Sequence, residues 1–226
     1  MAELQNLKYE NYIKNEPFEL NFRFINPGSV SYKIKTRLDI FRDSNHLFTI
    51  WGKETMFNIG DDKNIQVYWR PLNTTGKFKA LLRVYYANEI LDDGSIEFEI
   101  ENTKFPEEAI KLTNLKTYEK ELILSLKSEK DLENIIITPE NYPQGWFVSQ
   151  EKIDKLKKGE IKKVSIEYEP SLWVAGKKIT FQAATLDGKY FGQSSFTMKK
   201  EGKIESMIYY SLENIKSIFK IYNNRK

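Results

Sequence analysis

The chain has 226 residues, 40% of them hydrophobic and 14% aromatic, enough for one large or two ordinary cores and too much for a disordered chain. Lys and Arg total 35 against 32 Asp and Glu, and this net charge of +3 does not by itself argue for nucleic acid. The absence of cysteine and the presence of one histidine, His46, exclude disulfide frameworks, thiolate metal sites, cysteine nucleophiles and His–His metal pairs.

From the N-terminus, "MAELQNLKYENY" lacks the apolar region of a signal peptide, and no apolar run approaches the ~20 residues of a membrane span. The dominant period is then two. In "FELNFRF", Phe18, Leu20, Phe22 and Phe24 alternate with polar residues, as a half-buried strand requires. After the turn "NPGS", the segment "YKIKTRLDIF" puts Ile34, Leu38 and Ile40 on one face and Lys33, Lys35, Arg37 and Asp39 on the solvated one. "RDSN" is the next turn, with His46 beside it as a surface turn residue. "HLFTIW", "NIQVYW" and the long "GKFKALLRVYYANEIL" follow, and "DDG" at 92–94 reads as a hairpin turn into "SIEFEIE". About seven short strands in ~100 residues is the count of an immunoglobulin-like sandwich.

The second half repeats the plan in "ELILSLKS", "NIIIT", "GWFVSQ", "IKKVSIEY" and "KKITFQAATL", with Asp187–Gly188 closing into a last strand. The segment "EKIDKLKKGE" reads as a lysine-rich loop or one helical turn. The repeat has a fixed offset. Gly60, Ile65, Val67, Trp69 and Pro71 each recur 99 residues later, as Gly159, Val164, Ile166, Tyr168 and Pro170, and Gly76 is echoed by Gly176. A period near 100 residues means tandem domains. The motif also has a local cause. The aromatic ends a buried strand, proline lacks the N–H to continue the ladder, and glycine opens the next strand. This fits the crossing between the sheets of a sandwich. The polar "NTKFPEE" (102–108) is the expected linker, giving domains 1–103 and 104–200. Residues 201–226 differ: Ile204, Ile208, Leu212, Ile215, Phe219 and Tyr222 recur at helical steps and predict an amphipathic helix.

Candidate sites are few. Asp61–Asp62 and Asp92–Asp93 lack the spacing of a calcium loop and read as turns. Lys152, Lys155, Lys157, Lys158, Lys162 and Lys163 read as a solvated face, as does the Lys33/Lys35/Arg37 stripe. Trp146 reads as core. Trp173 is the candidate glycan contact, and Asn73, in an Asn-x-Thr triplet, a candidate glycosylation site. The tail stripe is the candidate partner surface, for a protein partner, for self-association or for a membrane surface. Nothing in the sequence calls for a cofactor, a metal or a nucleic acid.

Gly145–Trp146, Gly159–Glu160, Tyr168–Pro170 and Gly176 in "YPQGWFVSQEKIDKLKKGEIKKVSIEYEPSLWVAGKKITFQA" resemble the glycosidase-associated Ig-like domains of archaeal and bacterial surface proteins. The first half, with "NPGS" and "YWRPLNTTGKF", is similar to the cell-adhesion-related Ig-like domains of prokaryotic surface proteins. The resemblance covers residues 8–200. It implies an all-β chain of two tandem immunoglobulin-like (fibronectin-like) sandwiches serving as a non-enzymatic structural or interaction module at a cell surface. The alternatives are a carbohydrate-binding accessory module and an intracellular scaffold that docks a partner through its terminal helix. A cytoplasmic location follows if the native gene encodes no signal peptide.

Overall fold

A computed structural model describes residues 3–8, 18–69, 75–100, 106–170 and 174–198, the side chains of 3–8, 18 and 19 excepted. The described residues are all β. The first sandwich holds β1 (Glu3–Lys8), β2 (Phe18–Ile25), β3 (Tyr32–Arg42), β4 (Asn45–Trp51), β5 (Thr55–Phe57), β6 (Asp62–Trp69), β7 (Gly76–Tyr86) and β8 (Glu89–Ile100). One sheet runs β1-β2-β6 and the other β4-β3-β7-β8, with the short β5 on β3. The second holds β9 (Glu107–Glu108), β10 (Ile110–Thr117), β11 (Glu121–Ser128), β12 (Leu132–Pro139), β13 (Phe147–Val148), β14 (Glu151–Leu156), β15 (Ile161–Glu169), β16 (Lys178–Thr185) and β17 (Tyr190–Thr197). Its sheets run β10-β11-β15-β13 and β14-β12-β16-β17-β9. Both halves share one immunoglobulin-like order: the first, second and fifth principal strands form one sheet, and the third, fourth, sixth and seventh the other.

Period-two alternation supplies each core. Leu20, Phe22 and Phe24 of β2 and Val67 and Trp69 of β6 face Leu38, Ile40, Leu82 and Val84 of the opposite sheet. A separate cluster joins Leu122, Leu124, Leu126 and Ile166 to Ile135, Ile137, Phe181 and Ala183. The repeated motif sits at equivalent places. Gly60 and Gly159 both have φ +76, a left-handed conformation that an L side chain resists although each site has open space. Trp69 is the last residue of β6 and Tyr168 the last but one of β15, both inside their cores. In each half the chain then passes to the other sheet, between β6 and β7 and between β15 and β16. Trp69 meets Phe48, Phe78 and Phe98 at 5.4–6.1 Å between ring centres, and Tyr168 meets Trp146, itself in the core, at 6.0 Å.

Several expectations are corrected. Asp92, Asp93 and Gly94 lie within β8, opposite Val84, Arg83 and Leu82. The hairpin turns instead at Ala87–Asn88, with Ala87 at φ 52. The long alternation of both strands lets pairing run past the Asp-Gly signal, with an irregularity at Val84/Tyr85 absorbing the extra residue. The lysine-rich stretch is no loop: Glu151–Leu156 is a strand, paired with β12, and only Lys157–Glu160 turns. The end of the expected linker is also structured, since Glu107 and Glu108 form a parallel strand on β17. Residues Asn73 and Trp173 and the tail positions Ile204, Ile208, Leu212, Ile215, Phe219 and Tyr222 lie outside the described residues.

Candidate functional site: the joint between the sandwiches

On one side of the first sandwich both sheets end in an edge strand, β4 in one and β6 in the other. Such edges carry unpaired backbone groups and are a liability in water. One segment of the second sandwich, residues 147–151, covers both. Ser149 forms a parallel bridge with Trp51 at the end of β4, and the Gln150 N–H donates to the Trp51 carbonyl at 2.8 Å. The Gln150 side chain then serves β6. Its Oε1 accepts from the Tyr68 N–H at 3.0 Å, and its Nε2 donates to the Tyr68 carbonyl at 2.7 Å and to Thr138 Oγ1 at 2.7 Å. A primary amide has the donor and acceptor of a peptide group, so Gln150 pairs with β6 as a neighbouring strand would. Gln150 is 7% exposed and Ser149 fully buried, so these bonds form out of water.

Around this seam the contacts are aromatic and ionic. Trp51 meets Phe147 at 5.5 Å and Tyr85 at 5.5 Å. Lys35 lies 4.4 Å from the Phe147 ring centre and pairs with Glu169 at 2.6 Å. The Tyr142 hydroxyl donates to the Thr49 carbonyl at 2.9 Å, and burial pushes its pKa up, keeping it a neutral donor. The Glu54 N–H donates to Glu167 at 3.1 Å. Gly52 follows Trp51 because there is no room for more: a Cβ there would stand 2.2 Å from Thr36 Oγ1.

Lys53 and Glu151 pair across the seam at 2.9 Å. Burial raises the Glu151 pKa, the Lys53 hydrogen bond and charge oppose this, and the Glu167 charge adds to it; the net shift is upward. A carboxyl raised in the folded state binds more protons than in the unfolded chain, so stability rises as pH falls from above the raised value towards the ordinary carboxylate range. Thermal melts at pH 8 and pH 5 should therefore show the wild type gaining on Glu151→Gln as pH falls. An equal change in both proteins refutes the assignment.

Behind the joint, Asp39 is 1% exposed, not on a solvated face. Its carboxylate accepts from Arg37 Nε at 3.0 Å, Arg83 Nη1 at 3.0 Å and Thr49 Oγ1 at 2.6 Å. A buried charge is tolerable only with such partners. His46, in β4 beside the Asp43–Ser44 turn, brings Nε2 to 3.3 Å of Asp39 and 2.9 Å of Thr49. One ring nitrogen faces both groups, whereas a nucleophile–base–acid relay uses opposite nitrogens. The cluster ties β3, β4 and β7 together beneath Arg37, which lies 5.6 Å from the Trp51 ring centre.

The remaining candidates disperse. Asp61 pairs with Lys63 and Asn58, and Asp62 with Arg23. Among the described residues no three His, Asp or Glu side chains form a metal-holding group. In the lysine run, Lys155 pairs with Glu133 and Lys162 donates to the Lys155 carbonyl. The Lys33/Lys35/Arg37 stripe is not merely solvated: Lys35 and Arg37 enter the joint, and Lys33 pairs with Glu54. Sequence reasoning missed Gln150, Trp51 and Tyr142, and no local pattern marks them.

No family model and no curated protein matches the chain. Solved structures similar to it include red sea bream transglutaminase, with 8% identity, TM-score 0.31, and 88% of this chain and 31% of that one covered. Salmonella alpha-2-macroglobulin gives 10% identity and TM-score 0.30, covering 88% of this chain and 16% of that one. A β-D-mannosidase from Dictyoglomus thermophilum gives 11% identity and TM-score 0.28, covering 89% and 22%. The chain thus spans a third or less of the length of these structures, and no residue role is carried over from them.

Proposed function

We propose that the chain is a non-enzymatic structural and interaction module of a larger cell-surface or extracellular assembly, its two β-sandwiches held at a set angle by the joint. The observation that carries this reading is Gln150 pairing with the Tyr68 backbone while Ser149 and the Gln150 N–H pair with Trp51. Domain contacts within a chain are ordinarily polar and permissive of motion. Strand-like backbone pairing is directional, so it fixes orientation as well as proximity. A module with fixed geometry serves to space and orient other parts of an assembly, and the surface location rests on the resemblance of the repeated motif to prokaryotic surface domains. The tail stripe from Ile204 to Tyr222 is proposed as a contact to a partner or a second copy, because the six apolar positions that the sequence spaces at helical steps would require cover.

The test is rotational diffusion by 15N relaxation on the full chain. One tumbling tensor for residues 18–100 and 106–198 is the expected result, and two independent correlation times overturn the reading. Molar mass by light scattering on the same sample, with and without residues 203–226, decides self-association: an unchanged mass removes it.

A further inference from the structure

The outer face of the sheet β10-β11-β15-β13 carries positive charges that its own neighbours do not balance. Alternation turns Leu112, Leu124, Leu126 and Val164 into the core and so sets Lys111, Thr113, Ser125, Lys127 and Lys163 outward. Lys111 stands directly opposite Lys127, and the next row places Ser125 between Thr113 and Lys163. Like charges directly opposite across strands are unfavourable, and diagonal neighbours are still within reach of long side chains. Relief is small. Glu129 lies 3.5 Å from Lys127 in an exposed pair, and among the described residues no carboxylate pairs with Lys111 or Lys163. The equivalent face of the first sandwich is balanced, with Arg23 of β2 paired to Asp62 of β6. At the centre of the lysines, Ser125 is 5% exposed, and neither its hydroxyl nor that of Thr113 has a hydrogen-bond partner among the described residues.

We propose that this face binds a sulfate or phosphate ester group of an anionic polysaccharide, held by the Lys111, Lys127 and Lys163 ammoniums around the Ser125 and Thr113 hydroxyls. All five groups can donate hydrogen bonds, and three carry charge. A tetrahedral oxyanion offers acceptor oxygens in several directions and neutralises several ammoniums at once. The planar carboxylate is instead matched by the fork of a guanidinium, and the cluster holds no arginine. Single-stranded nucleic acid is held by aromatic side chains on which bases stack, and no outward position of β10, β11 or β15 is aromatic. The face is flat and open, so it suits a group carried on a chain that runs past it. The proposal goes beyond the module reading, because Lys163 precedes Glu167, the β15 contact to the joint, by four residues. Only the choice of polysaccharide as carrier of the ester rests on that reading's surface location.

The probe is a fluorescein-labelled heparin octasaccharide, titrated against the full chain by anisotropy in low salt. Log affinity should fall by about 2–3 per unit of log salt, as for three neutralised ammoniums. Sodium sulfate should compete better than sodium chloride of equal ionic strength. Lys111→Gln with Lys127→Gln and Lys163→Gln should weaken binding about tenfold or more. Lys152→Gln with Lys177→Gln and Lys178→Gln removes the same charge on or beside the opposite sheet and should cost about twofold or less. Ser125→Ala leaves every charge in place and should still cost about threefold or more, through one lost hydrogen bond. The first triple variant should melt at or above the wild type, having lost an opposed pair, which shows that it is folded. Equal losses in the two triple variants, an affinity indifferent to Ser125, or sulfate no better than chloride overturns the site. Single-stranded DNA of equal charge, or vesicles of phosphatidylcholine with phosphatidylserine, binding as tightly as the octasaccharide overturns the polysaccharide. None of these outcomes alters the tumbling of the two sandwiches, so failure here and failure of the module reading are separately visible.

Discussion

Gln150→Ala should lower the free energy of unfolding by about 2–4 kcal/mol, because it strips partners from groups that remain buried. The Tyr68 N–H and carbonyl and Thr138 Oγ1 each lose a hydrogen bond. Each orphaned buried group costs about 1–3 kcal/mol, reduced where water enters the gap. Gln150→Glu sharpens the test. A carboxylate still accepts from the Tyr68 N–H, yet it presents an acceptor to the Tyr68 carbonyl where an NH₂ stood, and it brings an unpaired charge into a buried seam. The glutamate should therefore be at least as damaging as the alanine at pH 7, and should recover part of the loss in acid, as protonation restores a donor. Urea denaturation measures the energy. Small-angle scattering measures the geometry: both variants should show a broadened distance distribution, because the side-chain pairing to β6 is lost or disrupted and the backbone bridge to Trp51 is left to orient the joint. A loss under about 0.5 kcal/mol with unchanged scattering would mean that the aromatic and ionic contacts hold the joint unaided.

The strands were legible in the sequence because a sandwich core repeats every second residue, and Leu20, Phe22 and Phe24 carry that period in plain alternation with Asn21 and Arg23. The corner was legible because it is written twice, and the equal φ of Gly60 and Gly159 shows that the repeat records backbone geometry and not composition alone. The joint was not legible, and the reason is physical. Its members are polar or aromatic residues on the outward faces of strands or, like Tyr142 and Gln150, between strands, and in isolation they are indistinguishable from solvated positions. Asp39 and Lys35 follow the alternation faithfully, and only the neighbouring chain segments decide that their outward side is covered. Gln150 is the extreme case: its role depends on an edge strand 82 residues earlier in the sequence. The Asp92–Asp93–Gly94 signal failed for another reason. Turn propensity is local, and eleven residue pairs across β7 and β8 extend the hairpin beyond it.

Trp69→Ala should cost about 3–5 kcal/mol, the range for removing a buried aromatic from a core that cannot close over the space. Phe48, Phe78 and Phe98 surround the indole, and three rings belonging to three strands cannot all move inward without breaking ladders. Trp69→Phe should lose less, since it keeps one ring in the cluster. Chemical denaturation of the two variants gives the comparison, and a loss under about 1 kcal/mol for the alanine would place Trp69 outside the core that it closes. The position has a second consequence. Tyr68, the next residue back, is the one whose backbone Gln150 holds. In the second copy of the motif, Tyr168 and Glu169 pair with Val148 and Phe147. Residues 147–150 are thus held from both sides by the same strand of the repeat, β6 through a side-chain amide and β15 through its backbone. Loosening β6 at Trp69 should therefore weaken what Gln150 contributes. In a double-mutant cycle, Gln150→Ala should cost less by at least about 0.5 kcal/mol in the Trp69→Ala background than in the wild type. Strict additivity would show that the core of the first sandwich and the joint beside it are energetically separate. The coupled result would mean that each sandwich contributes its own corner strand to holding the other in place.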